Sequence, residues 1–217
     1  MSNLSGFVKR IRDVMRNDAG INGDAQRIEQ IVWMLFLKVY DAKEEDWEFE
    51  DEKYESIIPK DLRWRNWAHS ENQNEDLTGD NLLNFVNNKL FPTLKSLEVT
   101  PETPIRQSIV RTTFEDANNY MKDGVLLRQI VNIIDELDFG SYEETHAFGE
   151  IYETILKELQ SAGSAGSQVL HDDFLRKCCF EFVLVDGDYC VSFFMQAVQT
   201  PLTAMRQVST LVPVCCS

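Results

Sequence analysis

Apolar residues recur at helical spacing in four separate segments of this 217-residue chain. The most regular stripe has offsets of 0, 3, 4, 7, 8 and 11, and it consists of Phe148, Ile151, Tyr152, Ile155, Leu156 and Leu159. Such a stripe covers one face of an α-helix, which is stable only when another element covers that face. The sequence therefore predicts an all-α fold in which amphipathic helices bury each other's apolar faces.

Three earlier stripes place further helices along the chain. The predicted central helix carries Ile28, Ile31, Val32, Leu35 and Val39. The second stripe consists of Leu82, Phe85, Val86 and Leu90, and Phe91-Pro92 should end or kink that helix because proline has no amide donor. Another helix is expected over residues 105–121. The last of these stripes, ending near Gly140, consists of Leu126, Leu127, Ile130, Val131, Ile134 and Leu137.

The character of the chain changes after a run of small residues at 161–166, which is typical of a linker. The tail beyond it has few charges and contains all five cysteines, none of them in a C-x-x-C pair. Residues 180–185 and 189–195 can pair as a β-hairpin around Asp186-Gly187. We therefore expect an irregular helical bundle over residues 1–162 and a short appendage over residues 163–217.

The net charge of −15 disfavours phosphate binding over a broad surface, because nucleic-acid binding relies on Lys and Arg to release counterions. Any DNA contact must be local or shared with a partner. No apolar run approaches the roughly 20 residues of a membrane span, so we expect a cytoplasmic protein without a membrane partner. The single, scattered histidines, His69, His146 and His171, predict no metal site and no catalytic base.

Two further clusters have structural interpretations. The acidic run of Asp46, Glu48, Glu50, Asp51 and Glu52 is predicted to be a solvated loop, because it lacks the spacing of a calcium site. A second stretch contains Trp64 and Trp67 beside Arg63 and Arg65. Tryptophans at helical spacing are more often core residues than platforms for bases, so we assign them to the core.

Six phrases in the first 160 residues, taken in order, resemble the N-terminal domain of type I restriction-modification methyltransferase subunits. They span residues 7–12, 30–38, 62–64, 85–92, 133–139 and 148–153. The resemblance implies a helical domain that precedes a Rossmann-like domain for adenine-N6 methylation of DNA with S-adenosylmethionine. It also implies partners: a second modification subunit, a specificity subunit that reads the DNA sequence, a restriction subunit, and DNA itself.

The resemblance ends at Gly166, where Ser167 to His171 stand in place of the family's junction with the catalytic domain. The chain has no glycine-rich cofactor turn, and its six prolines include no adjacent pair for an adenine-binding loop. We therefore expect no catalytic, cofactor-binding or metal site in this chain, which alone should be inactive. A frameshift or truncation near residue 167 is our hypothesis for the change.

Two rival functions stay open from the sequence. The tail could complete an unusual active site, which would make the chain a small methyltransferase that binds S-adenosylmethionine. Alternatively, the chain could be a truncated regulator that binds the specificity or modification subunits.

The candidate nucleic-acid contacts are Lys9, Arg10, Arg12 and Arg16, a basic cluster in an otherwise acidic chain. The resemblance implies that this domain helps to clamp DNA, which makes these residues the best candidates for contacts with phosphate. The competing interpretation, which we favour from the sequence, is a solvated helix face that neutralises the acidic remainder.

Overall fold

The computed structural model describes residues 4–69 and 77–137, and every regular element within these ranges is helical. The elements are α1 (Leu4–Met15), α2 (Asp24–Glu50), α3 (Trp64–Trp67), α4 (Gly79–Phe85), α5 (Phe91–Lys95), α6 (Ile105–Glu115) and α7 (Gly124–Asp135). A 3₁₀ turn, Lys60–Leu62, precedes α3, and a π-helical segment, Val86–Leu90, joins α4 to α5. The all-α prediction is confirmed. The stripe at 148–159, the linker, the predicted hairpin and the cysteines lie outside the described residues.

Helix α2 is the central helix, as its stripe predicts. Its 27 residues extend for about 40 Å. Ile28, Ile31, Val32, Leu35 and Val39 are all buried, and so are the intervening Trp33, Met34, Phe36 and Leu37. A helical segment that is apolar on all sides, such as residues 31–37, has to be enclosed by its neighbours.

The surrounding helices pack in two groups. Helices α1 and α4 both pack against α7, which also contacts α2, whereas α5 packs against α6. Aromatic rings join α2 to the second group: the ring centroids of Trp33 and Phe91 lie 5.1 Å apart, and those of Phe91 and Phe114 lie 5.2 Å apart. These edge-to-face contacts fix the side-chain packing as well as bury area.

The helix that contains Pro92 does not end at Phe91, so of the two predicted outcomes, an end or a kink, the helix end is not observed. The amide of Phe91 donates to the carbonyl of Val86, five residues earlier, and the chain continues into α5 with Pro92 in its first turn. A proline is tolerated at the start of a helical segment, where its missing amide has no partner to lose. The π-type turn Val86–Leu90 therefore accommodates the proline within one helical path.

Helix α6 ends at Glu115, six residues before the predicted end at Met121. Beyond the helix end, the Asn119 side chain bonds to distant groups: Oδ1 accepts from Gln30 Nε2 at 2.8 Å, and Nδ2 donates to Asn87 Oδ1 at 2.9 Å. The Gln30 amide oxygen in turn accepts from the backbone amide of Tyr120 at 3.0 Å. Polar side chains of this kind compete with helical hydrogen bonding.

Helix α7 begins at a tightly packed corner. The carboxylate of Asp123 accepts from the amides of Val125 and Leu126 at 2.8 and 3.0 Å, which caps the helix. The buried Asp18 accepts from the amides of Lys122 and Asp123, so the turn after α1 is joined to the start of α7. Gly124 lies so close to Gly79 that a Cβ atom there would be 1.8 Å from the Gly79 carbonyl oxygen.

Candidate nucleic-acid interface

The four predicted contact residues all lie on α1, and we call Lys9, Arg10, Arg12 and Arg16 together the basic face, within which Arg10 lies on a separate flank, toward Glu136. The other side of α1 is buried and consists of Phe7, Val8, Ile11 and Met15. Because Lys9, Arg12 and Arg16 are spaced three and four residues apart, they share one side of the helix over about 10 Å. Lys9 and Arg16 are exposed and Arg12 is half-buried. The structure therefore brings three of the four predicted residues together, whereas Arg10 lies on a different side of the helix.

Arg10 is held by an ion pair across the domain. Its Nη1 and Nη2 atoms donate to the two carboxylate oxygens of Glu136, at 2.8 and 3.0 Å. The contact joins α1 to the residue that follows α7. Both side chains are more than half exposed, at 54% and 58%. The hydrogen bonds from Arg10 and its positive charge hold the pKa of Glu136 below its ordinary value.

Arg16 also has an acidic neighbour, since its Nη1 lies 3.4 Å from the carboxylate of Asp13, three residues earlier on the same helix. Both side chains are about half exposed, and such pairs contribute little in water. Arg10 and Arg16 thus have carboxylate neighbours, as expected of a solvated helix face. Phosphate contact at these residues has to compete with those carboxylates.

Asp135, at the end of α7, is a buried polar hub that the sequence patterns did not predict. One carboxylate oxygen accepts from Lys38 Nζ at 2.9 Å and from Trp64 Nε1 at 2.8 Å, and the other lies 2.9 Å from His69 Nδ1. Burial alone would raise the pKa of Asp135, but these hydrogen bonds and the charges of Lys38 and His69 lower it below the ordinary value. The hub fastens α7 to α2 and α3.

The loop prediction for the acidic run is wrong for its first part, because α2 continues to Glu50, whereas Asp51 and Glu52 follow the helix and are exposed. Glu48 explains part of the difference: it pairs with Arg63 at 2.6 Å and with Arg65 at 3.0 Å, and Arg65 also pairs with the buried Asp41 at 2.9 Å. These pairs hold the 3₁₀ turn and α3 against α2. Phe49 lies within the run and is 91% exposed.

Another carboxylate on α2, that of Glu44, is buried and, among the described residues, has no ion-pair partner of the kind that Asp41 and Glu48 have. Glu44 is fully buried and accepts from the hydroxyl of Tyr54 at 3.0 Å through one oxygen, while its other oxygen has no hydrogen-bond partner. Burial outweighs the hydrogen bonding and raises the pKa of Glu44. Burial likewise raises the pKa of Tyr54, to about 12. This cluster destabilises charge at Glu44.

Arg128 of α7 binds backbone carbonyls rather than a carboxylate. Its guanidinium donates to the carbonyl oxygens of Trp67 (3.3 Å), Ala68 (3.2 Å) and Leu77 (2.9 Å). Burial lowers its pKa. Arg128 therefore joins the chain on both sides of residues 70–76. In the sequence, the one sign that Arg128 is buried was its position beside Leu127 in an apolar stripe.

The tryptophan assignment is confirmed: Trp64 and Trp67 are buried in the core, 1% and 3% exposed, with ring centroids 5.1 Å apart. His69 is a partner of Asp135, while His146 and His171 lie outside the described residues. Within residues 4–69 and 77–137, no three His, Cys, Asp or Glu side chains converge in the manner of a metal site. In the same ranges no helix is both long and apolar enough to cross a membrane.

Comparisons with known proteins agree on one group of relatives. A family model described as the HsdM N-terminal domain matches residues 4–134. The methylase subunit of the type I restriction enzyme EcoEI from Escherichia coli is 50% identical over 163 residues, which are 75% of this chain and 33% of that protein.

Two solved structures are similar to the chain as well. One is described as a modification subunit of a type I restriction enzyme from Vibrio vulnificus YJ016; it is 34% identical with a TM-score of 0.66, over 75% of this chain and 36% of that one. The other concerns complex assembly and conformational transition of the type I restriction-modification system; it is 32% identical with a TM-score of 0.60, over 73% and 30%. The chain spans about a third of the length of these relatives.

Proposed function

Because this chain belongs to the family of HsdM N-terminal domains, we propose that it provides the assembly domain of a type I restriction-modification DNA methyltransferase subunit. The observation that carries the proposal is the family match over residues 4–134, which includes nearly all the described helices. The identity of 50% to a type I methylase subunit supports it.

Methyl transfer itself belongs to the part of the relatives that this chain does not match. The family activity implied by the resemblance, adenine-N6 methylation, needs a glycine-rich turn after a strand and a loop that holds the extruded base. Every regular element of the described residues is helical, and the sequence has no Pro-Pro loop, so these residues do not fit S-adenosylmethionine. We propose that this chain by itself transfers no methyl group.

The proposed partners are a second modification subunit, the specificity subunit and the restriction subunit. A solved relative was studied for complex assembly in a type I system, which supports a role of this kind. The fold also suits it, because the buried hub at Asp135 and the capped corner at Asp123 make a rigid body from helices that are distant in sequence.

The proposed DNA contact is local and lies on the basic face. Lys9 and Arg16 are exposed, as phosphate contacts must be, and Arg12 is half-buried beside them. With a net charge of −15, this chain needs partner subunits to supply most of the positive potential around DNA. The basic face then contributes a few phosphate contacts within a larger assembly.

Co-purification tests the assembly role. The tagged full chain is mixed with the EcoEI modification and specificity subunits and analysed by size-exclusion chromatography with light scattering. Co-elution is the expected result, and an acidic protein of similar size and unrelated fold is the control. Elution of the chain alone, at concentrations where the authentic subunits assemble, would contradict the proposal.

Calorimetric titration tests the proposed lack of a cofactor site. No heat of binding is expected when S-adenosylmethionine is added to the purified chain. Binding in the micromolar range would show that the chain builds a site of its own and would favour a catalytic role.

A further inference from the structure

The ion pair between Arg10 and Glu136 has the geometry of a phosphate contact. Two guanidinium nitrogens meet two carboxylate oxygens at 2.8 and 3.0 Å, and a phosphate group presents two oxygens to arginine in the same bidentate manner. Glu136 thus occupies the donors of Arg10 that a DNA backbone would use.

Solvent exposure makes this pair exchangeable. Both side chains are more than half exposed, so water and salt screen their attraction and the pair contributes little to folding. The pair between Lys38 and Asp135 is different, because its side chains are only 17% and 6% exposed and cannot separate without leaving buried charge. A competing anion can therefore displace Glu136 from Arg10, whereas Asp135 stays in place.

We propose that Glu136 is an intramolecular competitor for DNA phosphate at Arg10, and that exchange of this ion pair regulates the affinity of the basic face. The inference rests on the proposed DNA contact. When phosphate takes the place of Glu136, the contact between α1 and the residue after α7 is released. Binding at the basic face is thereby coupled to the point where the chain leaves α7.

Removal of the competitor should strengthen DNA binding. Glu136→Gln keeps the size of the side chain but removes the charge that holds Arg10. Since an exposed ion pair is weak, we expect an assembly that contains the variant to bind duplex DNA about two- to five-fold more tightly than one that contains the parent chain. We also expect the dependence of log affinity on log salt to steepen by about one unit, because one more phosphate contact forms.

A double-mutant cycle separates release of Arg10 from the general effect of a less negative chain. The parent, Glu136→Gln, Arg10→Gln and the double variant, each assembled with the EcoEI modification and specificity subunits, are compared by fluorescence anisotropy on a labelled duplex at low salt. Glu98→Gln, in an exposed segment, is the control for net charge. Arg10→Gln should weaken binding, and Glu136→Gln should then have no more effect than Glu98→Gln. Equal gains from Glu136→Gln with and without Arg10 would overturn the proposal.

A second measurement distinguishes failure of the exchange from failure of the DNA contact. The NMR signal of the Arg10 side-chain NεH group is followed while inorganic phosphate is added to the full chain. Exchange predicts a response of Arg10 at lower phosphate in Glu136→Gln than in the parent. If Arg10 responds but no variant of Lys9, Arg12 or Arg16 alters duplex binding, only the DNA contact fails. If those variants weaken duplex binding and Glu136→Gln is silent, only the exchange fails.

Discussion

The indole nitrogen of Trp64 donates to the carboxylate of Asp135 at 2.8 Å, across 71 residues of sequence. The same carboxylate accepts from Lys38 and contacts His69, so one side chain at the end of α7 joins three separate parts of the chain. A buried carboxylate with this many partners is ionised and structurally important.

Asp135→Asn should therefore be strongly destabilising. The substitution leaves the mostly buried Lys38 without its counter-charge, and we expect the free energy of unfolding to fall by about 3 kcal/mol. Urea denaturation followed by circular dichroism measures the change. Glu98→Gln, an exposed control, should stay within about 0.5 kcal/mol of the parent, and a similarly small change for Asp135→Asn would show that the hub contributes nothing.

The pH dependence of that loss follows from the lowered pKa of Asp135. A carboxyl group whose folded pKa is depressed contributes stability that is present above its unfolded pKa and is lost as pH falls through the folded pKa. The difference between parent and Asp135→Asn should be constant above the ordinary value of 3.8 and shrink below it. A difference that grows as the pH falls below that value would contradict the assignment.

Glu44→Gln should have the opposite effect on stability. Burial raises the pKa of Glu44, so its charge is a cost to the folded state at neutral pH, and the neutral amide should raise the free energy of unfolding by about 1 kcal/mol. With a raised folded pKa, the parent regains stability as pH falls through that value. The advantage of the variant should therefore vanish below the ordinary value of 4.5.

Glu48→Gln is the matched control for that prediction, one helical turn further along α2. Glu48 is paired with Arg63 and Arg65, so its loss should destabilise the protein by up to about 1 kcal/mol at neutral pH. Urea melts of both variants at pH 7 and pH 4 provide the comparison. If both substitutions shift stability in the same direction, the burial of Glu44 and the ion pairs of Glu48 do not have the opposite effects that we predict.

Gly124→Ala should be among the most disruptive single-methyl changes in the domain. The added Cβ would lie 1.8 Å from the carbonyl oxygen of Gly79, and backbone atoms cannot move aside as a flexible side chain can. We expect a loss of about 3 kcal/mol or more, measured by thermal unfolding.

Gly79→Ala separates this clash from backbone strain. Gly79 has a φ of 54°, and a Cβ atom added to it would have no heavy atom within 4 Å, so alanine there costs only its left-handed conformation, about 1 to 2 kcal/mol. Equal losses for the two substitutions would mean that the close approach of α4 and α7 relaxes without penalty.

Arg128→Met tests whether the carbonyl contacts of α7 stabilise the fold. Methionine keeps much of the apolar stem but leaves the carbonyls of Trp67, Ala68 and Leu77 without their donor, which should cost about 2 to 4 kcal/mol. The same substitution at the exposed Arg111 is the control and should change stability by less than about 0.5 kcal/mol. Comparable values for both would assign Arg128 no special role.

The apolar stripes predicted the helices well where burial decides the structure. Ile28 to Val39 lie on the central helix, and Leu82, Val86 and Leu90 are fully buried, as their spacing requires. Local rules failed where hydrogen bonds between distant residues intervene. The chain after α6 is held by the bonds of Asn119 to Gln30 and Asn87, and the last part of α2 carries Glu48, which pairs with Arg63 and Arg65.

The sequence predicted which residues form the candidate interface, but not which side chains pair with them. Lys9, Arg12 and Arg16 could be placed on one face from their spacing alone, whereas the pairing of Arg10 with Glu136 depends on α1 lying against α7. Asp135 and Arg128 were missed for the same reason. Each stands in or beside an apolar stripe, and only the packed helices show which distant groups it binds.

The contacts of the Arg128 guanidinium should hold the domain together even when the backbone is cut between residues 70 and 76. A break between residues 70 and 76 would leave Trp67 and Ala68 on one fragment and Leu77 on the other, with Arg128 still bound to both. The first fragment would keep α1 to α3 and the second α4 to α7, and their interface would contain most of the core. The two pieces should therefore reassociate as a split protein, and a change in the length of this connection should cost little stability.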